Sequence, residues 1–128
     1  MVVEIVSTGY YRLIQRHCDD GPLAAMCGLI LRDEAGHIMF HRDRLAAERG
    51  DWSRGLRAVA IHLLTTGCTS FLWLSHGSWL RAIGGSFSEL RAEIQKEKYL
   101  FLQRLANRRQ SLGEAPGALS GQRAASHS

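Results

Sequence analysis

Cysteine, long apolar runs and catalytic motifs are all in short supply in this chain. Its three cysteines, Cys18, Cys27 and Cys68, are odd in number, far apart and never in a Cys-x-x-Cys pair. That pattern excludes a disulfide framework and leaves free thiols in a reducing cytoplasm as the expectation. No apolar run approaches the roughly 18 residues of a membrane span, and no charged-then-apolar leader opens the chain. The expected setting is therefore cytoplasmic, with no membrane partner. Gly84-Gly85 lacks the lysine and spacing of a phosphate-binding loop. No nucleophile elbow, Cys/His dyad or internal repeat is present either.

What is there is an ordinary globular composition. The 128 residues are 45% hydrophobic, with a mean hydropathy of −0.13, enough for one domain with a real core. Sixteen Lys and Arg against twelve Asp and Glu leave a formal charge of +4. A moderately basic balance favours nucleic acid or an acidic protein surface over a neutral small molecule.

Local patterning predicts a mixed fold. Val2–Ser7 is apolar and β-branched apart from Glu4, a strand by propensity. Leu23–Arg32 is a second apolar run, Asp33-Glu-Ala-Gly36 reads as a hairpin turn, and His37–Phe40 resumes as a third strand. Asp51 is an N-cap for a helix carrying Leu56, Val59, Ala60, Leu63 and Leu64, with Gly67 as its left-handed stop. Phe71–Leu74 then reads as a buried strand, Ser78–Ile83 as a short helix and Gly84-Gly85 as a break. A helix between strands implies a parallel crossover. The span 86–109 is a strong helix, with Leu90, Ile94, Phe101 and Leu105 on one face and Arg108 and Arg109 at its negative end. From Gln110 onward, Gly, Ala, Ser, Pro and Gln predict a disordered tail, so the domain is placed at 1–109 and the tail at 110–128.

The segments "VEIVSTGY", "GLILRDEAGHIMF" and "SHGSWLRAIGG", in that order, resemble the ribonuclease H family over roughly residues 2–105. The resemblance implies an α/β fold: an antiparallel meander plus a parallel strand in a mixed sheet flanked by helices, without the family's last strand and helix. It also implies a site at Thr8, at Ser53 (or Trp52) and at His76 (or Ser75), where the family keeps carboxylates for two magnesium ions. Hydroxyl and imidazole groups are poor ligands for hard cations, so the resemblance implies a pseudoenzyme with no metal or cofactor.

Two functional expectations follow. In the first, a non-catalytic module binds nucleic acid through Arg42, Arg44, Arg49, Arg54 and Arg57 with Trp52 and Trp79, or binds a protein or a second copy through an open sheet edge. In the second, a nuclease using Mg or Mn relocates its ligands to Asp19, Asp20 and Asp51. His37 and His41 share one face of their strand and read as surface residues.

Overall fold

The computed structural model describes residues 1–47 and 54–124, with side chains for 1–47 and 55–113. Among the described residues the elements are four helices and no strand: α1 (Val2–His17), α2 (Gly21–Ala47), α3 (Arg54–Ala82) and α4 (Phe87–Ala124). This overturns the α/β expectation and, with it, the ribonuclease-H-like resemblance. There is no meander, no crossover strand and no sheet edge among these residues. The fold is a helical bundle.

The reasons lie in which positions are buried. In α1, Ile5, Gly9 and Leu13 recur every four residues and are all buried, as is Val6. A β-branched residue loses only about half a kcal/mol of helix propensity, less than full burial of one such side chain returns. The opening "strand" is therefore a helix whose apolar face is covered. In α2 the expected hairpin at 33–36 is helix interior: Cys27 and Ile38, eleven positions apart on one face, are both buried. Gly36 lacks the positive φ such a turn requires, Gly84 being the one described glycine that has it. The start of α2 is set by Asp20, whose carboxylate accepts the Leu23 N–H at 2.9 Å, with Pro22 in the first turn where its missing N–H costs nothing.

α3 runs through both the expected stop at Gly67 and the expected strand 71–74. Its inward face carries Ile61, Thr65, Thr69 and Leu80, all buried. The hydroxyls of Thr65, Thr66, Thr69 and Ser70 each donate to the carbonyl four residues back, at 2.6–3.0 Å. The break at Gly84-Gly85 is where the sequence places it. Gly85 N–H donates to Leu80 O and Gly84 N–H to Arg81 O, with Gly84 at φ +91°, a Schellman stop. α4 begins at once with a capping box: Ser86 N–H donates to Glu89 Oε2 at 3.0 Å and Glu89 N–H to Ser86 Oγ at 3.3 Å. Leu90, Ile94, Phe101 and Leu105 are buried, as their spacing predicts. The helix is assigned through Ala124, past the end expected at Arg109.

α1 and α4 form a central pair. Among the described residues each touches all the other helices, whereas α2 and α3 lie on opposite flanks and make no contact with each other. α1 is antiparallel to α4, with Arg12 paired to Glu97 and Arg16 to Glu93. It is antiparallel to α2 as well, through Ser7 on Glu34 and Gln15 on Ala24 O.

Two outcomes follow. A Cβ on Gly9 would lie 2.5 Å from Ile94 Cγ1 and 3.1 Å from the Ile94 backbone nitrogen. Gly9→Ala is therefore expected to destabilise by about 1–3 kcal/mol from overpacking, opposite in sign to alanine's higher helix propensity, as read by the urea midpoint. Hydrogen bonds from Ser86 outweigh desolvation at Glu89, and with His17 beside it they hold its carboxyl below its ordinary value. A depressed folded pKa contributes stability above the unfolded value and loses it as pH falls through the folded one. The wild type's Tm advantage over Glu89→Gln should be full at neutral pH and vanish in acid.

Candidate functional site

A row of polar and charged groups lies in the half-buried seam where α1 meets α2. Ser7 Oγ lies 2.9 Å from Glu34 Oε1, and His41 Nε2 lies 3.2 Å from Glu4 Oε1. His37 is one turn beyond Glu34 on the same helix, its Nδ1 3.7 Å from Glu34 Oε2. Glu34 Oε2 is shut off from solvent and has no hydrogen-bond partner. Glu4 Oε2 is equally enclosed and faces the Met1 ammonium. Burial opposes ionisation of Glu4, but the Met1 ammonium, with His41 adding to it, holds the carboxyl below its ordinary value.

Helical geometry places these groups together. Glu4 and Ser7 are three residues apart, and Glu34, His37 and His41 follow at three and four, so each set shares one face of its helix. The antiparallel register turns the two faces toward each other. The outcome is a line of two carboxylates and two imidazoles, with Ser7 between the acids. His37 is more than half exposed, so the line opens to solvent at that end. Among the described residues, no group of three or more His, Cys, Asp or Glu could hold a metal ion.

Beside this line runs a groove of about 600 Å³ between α1 and α3, lined by Val3, Ser7, Tyr10, Gly67, Phe71 and His76 among others, none of them a formally charged type. Ser7 belongs to both features. The outer face of α3 extends the groove's apolar character: Phe71 is 72% and Leu74 85% exposed, with Leu56, Val59, Leu63 and Leu64 also open. Over Gly55–Ala82, α3 is long and apolar enough to cross a membrane by length and composition. The expectation that no apolar stretch approaches a membrane span missed this helix, whose apolar residues are interspersed with small and hydroxyl-bearing ones.

A third feature is a basic end. Arg108 Nε lies 3.4 Å from Asp43 Oδ1 and Arg42 Nη2 lies 2.8 Å from it, while Arg109 donates to Leu45 O at 2.9 Å. Arg57 and Arg109 line a cleft of about 350 Å³ floored by Leu102 and Leu105. Arg57 Nη1 is buried there without a hydrogen-bond partner.

The residues expected from sequence are dispersed. Thr8 is buried on α1, its hydroxyl donating to Glu4 O at 2.7 Å, in a cleft shared with α2 and α4. His76 is on α3, edge-on to Tyr10 with ring centroids 5.9 Å apart. Asp19 and Asp20 sit between α1 and α2, where Asp20 caps α2. Arg49, Asp51, Trp52 and Ser53 lie outside the described residues, and Arg54 is placed by its backbone alone. Arg42, Arg44 and Arg57 belong to the basic end, but Trp79 lies 22 residues along α3 from Arg57, roughly 33 Å at helical rise. Glu4, Glu34, His37 and His41 were not anticipated as a group. The available signal was Glu34-x-x-His37, a helical i, i+3 pair concealed by reading 33–36 as a turn. Cys18, Cys27 and Cys68 are free, and burial pushes the Cys27 thiol up, away from reactivity.

Compared with known protein families, curated proteins and solved structures, the chain matches none.

Proposed function

We propose that this chain is a helical bundle module whose basic end takes an anionic partner such as the phosphate backbone of single-stranded nucleic acid. The observation that carries the reading is Arg57 Nη1, buried without a hydrogen-bond partner in the cleft that Arg57 and Arg109 line. Buried polar groups rarely go unsatisfied without an ion, a water or a functional reason. Arg42 and Arg108 gather at the same end, around Asp43.

Affinity for a single-stranded oligonucleotide, measured across a range of salt concentrations, tests this. Binding should then weaken steeply with salt, and Arg57→Ala should lower the slope of log K against log salt by about 0.7–0.9. Binding that is absent or insensitive to salt rejects it.

A further inference from the structure

We infer that the outward face of α3 lies in the surface of a phospholipid bilayer, along the membrane plane, with the rest of the bundle on the water side. This goes beyond the nucleic-acid reading and uses a different face of the molecule. No Asp, Glu, Lys or Arg stands between Arg57 and Arg81, a stretch of roughly 36 Å at helical rise. Within it Val59, Leu63, Leu64, Phe71 and Leu74 are each more than half exposed, and at 3.6 residues per turn they share an arc of roughly 140°. Ile61, Thr65, Thr69 and Leu80, on the opposite side of α3, are buried against the bundle. A continuous uncharged apolar face of that length marks a contact site.

Three features favour lipid as the occupant. Cations close the stretch at both ends, matching a layer of phosphates around a hydrocarbon interior. At one end Arg57 and Arg109 line their cleft; at the other the Arg81 guanidinium lies 5.5 Å over the Trp73 ring, where its stem follows apolar surface while its head reaches a phosphate. Secondly, the two hydroxyls on this face are already bonded within the helix, Thr66 to His62 O at 2.8 Å and Ser70 to Thr66 O at 3.0 Å, as a hydrocarbon setting requires. Thirdly, Phe71 belongs both to the face and to the uncharged groove between α1 and α3. Fluid acyl chains conform to a ridge and a groove together, whereas a protein needs a matching shape. The helix lies along the surface and does not cross it, because α1 and α4 pack on its inner side. Those helices carry the Arg12–Glu97 and Arg16–Glu93 pairs, charges that hydrocarbon excludes.

Flotation of the full chain with vesicles of phosphatidylcholine and phosphatidylserine provides the test, and the wild type is expected to float. Phe71→Asp and, separately, Leu74→Asp alter exposed side chains outside the core. Each should lower the partition coefficient by about tenfold or more, with helical circular dichroism and oligonucleotide affinity unchanged. The oligonucleotide measurement keeps the two readings apart: a chain that floats in this pattern but binds no oligonucleotide supports the lipid face and removes the nucleic-acid reading alone. A wild type that does not float overturns the inference. So does flotation that both variants retain in full, which would make the arginines the whole contact. A species of twice the 14.3 kDa chain mass that fails to float, and that both variants dissociate, overturns it too, making a second copy the cover of α3.

Discussion

The contact of α1 with α4 at Gly9 is the constraint on which the rest of the bundle depends. With no side chain at position 9, the α1 backbone rests on Ile94, and the Arg12–Glu97 and Arg16–Glu93 pairs lock the register on either side of it. Glu93 and Glu97 are buried carboxylates, so an unpaired register would leave charges stranded away from water, which costs far more than the pairs return. The pairs thus act chiefly as selectors of one alignment. Once α1 is placed on α4, its two remaining faces determine where α2 and α3 attach, and those two helices need not meet each other.

Register then becomes chemistry. The face of α1 turned to α2 carries Glu4 and Ser7, and the antiparallel alignment sets these against His41 and Glu34. A slip of one helical turn would separate every one of these partners. The face turned toward α3 is different in kind: Tyr10 packs on His76, and neutral side chains line an open groove. A single sixteen-residue helix therefore holds a packing surface, a polar row and an open apolar channel on three sides.

How much of this could be read from the sequence varies with the segment. The last helix was legible because Leu90, Ile94, Phe101 and Leu105 repeat at helical spacing; the Gly84-Gly85 stop was legible too. The first three helices were not, for two reasons. Val2, Val3, Ile5 and Val6 have strand propensity that tertiary burial overrides. α2 and α3 are apolar on more than one face, which removes the 3.6-residue period and makes short stretches such as Phe71–Leu74 look like buried strands. Once 33–36 was read as a turn, Glu34 and His37 lost the shared helical face that makes them partners. The resemblance to a sheet-based family then supplied positions, Thr8 and His76 among them, that the bundle places in different surroundings. The cluster of arginines was visible as composition, but only the folding of α4 back onto α2 and α3 shows which of them gather at one end.

The threonine and serine hydroxyls of α3 have a consequence of their own. Thr65, Thr66, Thr69 and Ser70 spend their donors on their own helix, one turn back, and ask nothing of the surrounding medium. On the exposed side, where Thr66 and Ser70 lie, that stretch of helix can pass from water into contact with a hydrocarbon or protein surface without abandoning a solvated donor. Desolvation, normally the toll on covering a hydroxyl-bearing face, is largely settled when the helix first forms.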